Sequence, residues 1–193
     1  LLFIAIIVIS TFGLIMITSA SYIWAEYKFN DPFKFTKNQG LFFIIGIIMM
    51  IIISKIDYKI YYEKCNMILI GCICLLVLVL IPGIGTVRNG SRSWFGIGSF
   101  GVQPSEFTKL ALIIFTSKYL QKNEKILKNI KNGVLPILGI TIFIFGLIML
   151  QPDFGTGTII VMSIIGLLFV GGVKFGFFLK IGVVGLIGII GLI

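Results

Sequence analysis

From Leu1 to Ala25 the chain carries no charged side chain, and apolar runs of this kind return along its whole length. A bilayer core is crossed by about 20 apolar helical residues, and a helix satisfies every backbone polar group within its own segment. Repeated runs of that length therefore leave one option, a set of membrane-spanning helices. The expected spans are Leu1 to about Trp24, Gln39 to Ser54, Asn66 to Ile84, Pro104 to Tyr119, Val134 to Leu150 and Phe154 to Gly172. A seventh runs from the turn at Lys174 to the end. The second and fourth are short and need help from their ends. The first run lacks a cleavage pattern of small residues and is treated as a true span. The chain starts inside one apolar run and stops inside another, so it reads as a fragment of a longer membrane protein. The fold expected is an all-α integral membrane protein, with residues 1–193 as a single polytopic domain.

Composition agrees. The 193 residues are 58% hydrophobic, with mean hydropathy +1.13, more apolar surface than a soluble domain of this size can hide. The net charge of +9 does not imply nucleic acid, because the lysines lie in short turns between apolar runs. The positive-inside rule explains them. The turns at 55–65, 118–133 and 172–180 hold most of the basic residues and share one side, which is then cytoplasmic. The loops at 25–38, 85–103 and 151–155 face outward. With no histidine in the chain, imidazole metal sites and histidine bases are excluded. Cys65, Cys72 and Cys74 lie on or beside one apolar run and read as packing residues, neither disulfides nor metal ligands.

One polar stretch breaks the hydrocarbon, Arg88 to Lys109. Arg88 and Arg92 stand among glycines, which let backbone N–H groups approach an anion, while arginine grips phosphate oxygens with two donors at once. Their place on the outer side is not needed for topology, so it asks for a functional reason. Trp94, Phe95 and Phe100 suit the headgroup level. Gln103-Pro104-Ser105-Glu106 reads as a helix start, with proline at the first helical position and glutamate beside the positive end of the dipole. Lys109 lies one turn deeper on the face of Glu106, roughly 7 Å below Pro104. An ion pair with Glu106 for stability is the plain reading. A functional cavity is preferred, because intramembrane charges are costly and usually face a pathway. Gln151-Pro152-Asp153 repeats the device, and Phe154-Gly155-Thr156-Gly157-Thr158 follows with small residues that permit close helix approach. The two helix starts, on one side of the membrane, can face a common pocket. The whole suggests an external site for an anionic, lipid-linked ligand. No nucleotide-binding Gly-x-x-x-x-Gly-Lys-Ser/Thr loop is present, which argues against an ATP-driven pump.

The stretch N-G-S-R-S-W-F-G-I-G-S-F-G-V-Q-P-S-E-F-T-K-L-A-L at 89–112, with L-Q-P-D-F-G-T-G-T at 150–158, resembles the two signatures of the SEDS family (FtsW, RodA and SpoVE). The resemblance extends over the whole chain. It implies a ten-span fold, of which about seven spans are here, in the bacterial cytoplasmic membrane. It also implies a peptidoglycan glycosyltransferase that polymerises lipid II outside that membrane, for cell elongation or division, beside a class B penicillin-binding protein transpeptidase. By position, Gln103, Glu106 and Lys109 match the family's polar helix start, Asp153 the second signature's aspartate, and Trp94 the loop tryptophan. The family usually has arginine directly before that tryptophan; here it is Ser93, with Arg92 one earlier. The I-S-K-I-D-Y-K turn at 53–59 and the Ser93-Trp94 pair look more like RodA than FtsW.

The resemblance implies a division of labour. Strand growth attacks an anomeric carbon and expels undecaprenyl diphosphate, so a carboxylate must take a proton and cations must stabilise the leaving group. Arg88, Arg92 and Lys109 are assigned to the second task, with Glu106 and Asp153 orienting Lys109 or lining the cavity. The family's catalytic aspartate is expected beyond Ile193, which leaves this fragment inactive by itself. No cofactor is expected; a divalent cation could assist the diphosphate, though no metal-ligand spacing is visible. Transport of the lipid-linked precursor is the rival reading, and a scaffold that recruits the transpeptidase is a third.

Overall fold

The computed structural model describes residues 1–88, 90–97, 100–123, 130–179 and 182. Glu124, Lys125 and Lys128 of the expected basic turn, Gly98 of the loop, and nearly all of the expected seventh span lie outside the described residues. The chain falls into two compact units, Leu1–Asp57 and Tyr58–Ile193.

The first unit is a helical hairpin. Helix α1 covers Leu2–Phe29 and α2 covers Lys34–Ser54. At 1.5 Å per residue, α1 is about 42 Å long, more than a bilayer core requires. It continues past Trp24 because the charged and aromatic residues that follow can form its wet end. Asn30 stops it in the left-handed conformation (φ 56°), which asparagine tolerates. The polar loop expected at 25–38 thus shrinks to a tight turn. In that turn Asp31 pairs with Lys37 at 2.9 Å and accepts the Phe33 N–H at 3.1 Å. The Lys37 ammonium, the largest influence, holds the Asp31 carboxyl below the usual carboxylate range. Trp24 stacks on Phe35, and the Lys34 ammonium sits 3.4 Å above the Phe29 ring.

The second unit holds helices α3 (Tyr58–Leu80), α4 (Pro104–Lys122), α5 (Leu135–Met149) and α6 (Phe154–Val170). Helix α3 starts eight residues before the span expected at Asn66, because Lys59, Glu63 and Lys64 are competent helix formers whose heads reach the interface. It ends at Leu80, ahead of Pro82. By length and composition α1, α2 and α3 can each cross a membrane, while α5 and α6 are shorter apolar helices. Each helix buries a narrow stripe. On α3 it is Cys65, Leu69, Cys72, Leu76 and Val79, spaced by alternating fours and threes. Small residues serve on α4, where Ser105, Thr108 and Ala111 are buried and α3 packs closely. Ile137, Ile144 and Ile148 of α5 meet Ile160, Ile164 and Leu168 of α6 in the same core. The cysteines are free, with Cys65 and Cys72 buried and Cys74 exposed.

Between α3 and α4 the polar stretch folds into a small antiparallel sheet in the order β1 (Thr86–Arg88), β2 (Ser91–Ile97), β3 (Phe100–Val102). It is the one non-helical layer among the described residues, inserted in a chain expected to be all-α. Arg88 pairs with Ser91 across a turn in which Gly90 adopts φ 83°, open to glycine at no steric cost. Register then slips: Val87 faces Arg92 but Thr86 faces Trp94, so Ser93 is an extra residue on β2. A Cβ on Gly85 would collide with the Val79 carbonyl oxygen, so glycine there lets β1 leave α3 tightly.

Candidate functional site

Two helix starts and the sheet converge at one end of the second unit. Asp153 is the N-cap of α6: its Oδ1 accepts the Thr156 N–H at 3.2 Å and its Oδ2 the Thr156 hydroxyl at 2.8 Å. A carboxylate suits this place, satisfying an orphan donor at the positive end of the helix dipole. Gln103 is the N-cap of α4, yet its side chain does not cap that helix. It crosses instead to α6, where Nε2 donates to Asp153 Oδ2 at 2.7 Å and to the Thr156 hydroxyl at 3.4 Å. The start of the first signature's helix is thereby tied to the start of the second's, 50 residues further along.

Gln151 makes a second tie. It is fully buried, its Nε2 donates to the Leu76 carbonyl at 3.3 Å, and its own carbonyl accepts the Ser91 hydroxyl. Ser91 also bonds Ser93, which is 1% exposed. The residue after the capping pattern of α5 therefore anchors both α3 and β2. In the sequence Gln151 stands only as part of a helix break, since a buried hub has no local signature.

These contacts enclose an open cavity of about 350 Å³ lined by Arg88, Trp94, Gln103, Asp153 and Thr156, with Ser91 and Ser93 on the sheet side. The Arg88 guanidinium lies 5.1 Å from the centre of the Trp94 ring, a cation–π stack. On its other side it packs so tightly against Gly101 that a Cβ there would come within 2.7 Å of Cζ. The guanidinium is thus held between the Trp94 ring and the Gly101 backbone.

The expectations for the charged residues divide. Arg88, Trp94, Gln103 and Asp153 come together, as the common-pocket reading requires. Arg92 does not line this cavity. The bulge at Ser93 turns it toward Gly85, where a Cβ would stand 3.1 Å from the Arg92 Cγ. Glu106 and Lys109 also lie outside this cavity's lining and bond each other at 2.8 Å, three residues apart on one face of α4. The ion-pair reading, placed second above, describes this geometry. Glu106 does orient Lys109, but Asp153 does not: its carboxylate is committed to Gln103 and Thr156. Nor does Glu106 reach back to the helix N–H groups, because Lys109 is closer and opposite in charge.

The arrangement can bind an anion through Arg88 and place an apolar or sugar face against Trp94, while the Gln103–Asp153 tie fixes the cavity wall.

The model of the FtsW, RodA and SpoVE family, described as cell cycle proteins, matches residues 1–193. Stage V sporulation protein E of Bacillus subtilis is 48% identical over 185 residues, covering 96% of this chain and 50% of the relative. A protein of Legionella pneumophila named probable peptidoglycan glycosyltransferase FtsW is 36% identical over 167 residues, covering 86% and 42%. The chain spans about half the length of the curated relatives it matches. Among solved structures, a chain of a peptidoglycan synthase complex aligns with TM-score 0.71 over 94% of this chain and 52% of its own. The Thermus thermophilus rod shape determining protein RodA aligns with TM-score 0.64 over 95% and 58%. Both are 24% identical to it, so they speak to fold alone. The stronger sequence matches named here carry the SpoVE and FtsW names, and RodA is matched through its fold. On these grounds the chain is a multi-pass membrane protein with part of the SEDS fold, and it belongs to the FtsW, RodA and SpoVE family of cell cycle proteins.

Proposed function

We propose that the full-length protein is a peptidoglycan glycosyltransferase of the bacterial inner membrane. It polymerises lipid II at the outer face, beside a class B penicillin-binding protein transpeptidase. The observation that carries this reading is the joining of the two signatures through Gln103 and Asp153 around a cavity that also holds Arg88 on Trp94. In this reading Arg88 binds the diphosphate of the lipid-linked sugar. The charge it meets grows as the glycosidic bond to that diphosphate breaks, so the stabilisation acts on the transition state. Trp94 stacks on the sugar, and the tie between Gln103 and Asp153 fixes the cavity wall. Lys109, held by Glu106, supplies a second cation nearer the membrane core. The residues named here bind and position the substrate, and none of them is assigned as the proton acceptor.

The test is polymerisation of lipid II by the purified full-length protein, with no second polymerase present. Wild type should yield glycan strands, and Arg88→Ala should slow their formation at least about tenfold while the protein stays folded and membrane-inserted. Normal polymer from that variant would remove Arg88 from the site, and normal polymer from Lys109→Ala would limit the site to the cavity. Movement of lipid II across vesicles with no polymer formed would replace the glycosyltransferase with a transporter. Polymerisation unaffected by loss of Arg88, Lys109 and Asp153 together would leave only the scaffold.

A further inference from the structure

The far end of α3 and α4, opposite the sheet, holds a second concave site that the glycosyltransferase reading does not use. It is a pocket of about 180 Å³ lined by Asn66, Phe115, Lys118, Tyr119, Lys122 and Asn123. We propose that it binds the headgroup of an anionic phospholipid in the leaflet on that side.

The argument begins with Lys118. Its ammonium is half-buried and bends back onto α3, donating to the Tyr62 carbonyl at 2.6 Å and the Glu63 carbonyl at 3.5 Å, with the Tyr62 ring 4.8 Å away. Those partners are neutral. They fix the ammonium in place without neutralising it, and among the described residues no carboxylate lies within ion-pair distance of Lys118 or Lys122. Two cations one turn apart on α4, one of them immobilised, form a preorganised site for a single anion. Amides complete the polar wall. Asn123 spends its Nδ2 on the Tyr119 carbonyl at 2.9 Å, which fixes its orientation. Asn66 stands opposite on α3, exposed at the pocket edge.

The surroundings favour a lipid over a free phosphate. Phe115 and Tyr119, their rings 6.4 Å apart, form an apolar floor on the side toward the membrane core. Beside Asn66 on α3, Met67 and Ile70 face outward with 65% and 62% of their surface exposed. A phosphodiester in the pocket can therefore keep its acyl chains against protein and bilayer. A free phosphate gains nothing from those residues. Basic pockets between helices at the cytoplasmic interface are where acidic lipid headgroups bind.

Native mass spectrometry of the full-length protein tests this, with phosphatidylglycerol as the probe and phosphatidylcholine for comparison. Wild type should retain one phosphatidylglycerol in preference to phosphatidylcholine. Lys122→Gln, an exposed position with no role in packing, should weaken that retention about fivefold, and Lys118→Gln with Lys122→Gln about thirtyfold. Asn66→Asp, which brings a negative charge to the pocket edge, should weaken it as well. Lys64→Gln with Lys174→Gln removes the same charge outside the pocket and should change retention less than twofold. Equal losses from the two double variants would reduce the effect to general surface charge and overturn the site. So would unchanged binding in Lys122→Gln and Asn66→Asp, or displacement of the lipid by millimolar inorganic phosphate. None of these readouts depends on polymerisation, so the site stands or falls apart from the proposed enzyme activity.

Discussion

Gly101→Ala is the sharpest perturbation of the cavity, because it moves Arg88 without touching it chemically. A Cβ at position 101 would stand 2.7 Å from Cζ and Nη1 of Arg88 and 2.8 Å from Nη2. Carbon–heavy-atom contacts are comfortable at about 3.5–4.0 Å, so the guanidinium must retreat by roughly 1 Å or swing away. The atoms the Cβ meets are the far end of a flexible side chain and not backbone, so the backbone need not move. The fold should hardly notice. Alanine in place of glycine gains about 0.4–1 kcal/mol where the backbone is compatible, and the lost stack on Trp94 costs about 0.5–1 kcal/mol. Thermal unfolding of the full-length variant should therefore match wild type closely. Activity should not match. A hydrogen bond to a charged group contributes about 1.5–3 kcal/mol, so misplacing Arg88 should slow lipid II polymerisation about 10- to 150-fold. A double-mutant cycle assigns the cause. In an Arg88→Ala background, Gly101→Ala should have no further effect. If it slows that background as much as it slows wild type, the effect does not run through Arg88, and the role given to this residue is wrong.

Three other outcomes follow from the geometry. Asp153→Ala removes the cap of α6 and the partner of Gln103; it should cost about 1–2 kcal/mol in unfolding, and Asp153→Asn, which keeps an acceptor for Thr156, clearly less. Gly157→Ala places a Cβ 2.7 Å from Met149 Cε and 3.1 Å from the Phe145 ring, where α5 and α6 pack; the overpacking should lower stability by about 1 kcal/mol or more, read from the unfolding midpoint, while Gly139→Ala, with open space around it, should not. The Asp31 carboxyl titrates below its ordinary value because of Lys37, so its contribution to the turn is present above the unfolded pKa and is lost as pH falls through the folded one. Lys37→Gln should raise that titration toward the ordinary carboxylate range in a 13C NMR experiment, and an unchanged value would show that the 2.9 Å pair is not what holds it down.

The spans were legible because apolar length is a one-dimensional signal, and so were the helix starts at Pro104 and Asp153, which carry local capping chemistry. Helix facing was not. Helix α3 is apolar almost all round, and only its fold shows that Cys65, Leu69, Cys72, Leu76 and Val79 face inward while Met67 and Ile70 do not. Helix ends were read too short for a related reason. Charge marks the end of an apolar run but not of a helix: Lys59, Glu63 and Lys64 continue α3 into the interface, where their heads are solvated. The pairing of Gln103 with Asp153 was legible only as two similar breaks on one side of the membrane. What joined them was an amide that left its own helix uncapped, a choice set by a neighbour 50 residues away.

The position of the cation shows how far a motif can be carried residue by residue. The family's usual arginine before the tryptophan is Ser93 here, and adjacency makes Arg92 the obvious substitute. Adjacency is a poor guide on a bulged strand. With Ser93 as the extra residue, β2 buries a hydroxyl where the family has a guanidinium, and Arg92 leans toward Gly85. Arg88 lies one hairpin turn earlier, and pairing with Ser91 brings it back beside Trp94. Ser93 and Arg88 line the same cavity, and glycine at 101 lets the guanidinium close on the backbone. The cation of the site is then supplied from β1 in place of β2, and three positions must agree for it to work: a small residue at 93, glycine at 101 and arginine at 88. Restoring Ser93→Arg alone should therefore crowd the cavity instead of improving it, whereas Ser93→Arg combined with Arg88→Ala should recover polymerisation that Arg88→Ala loses.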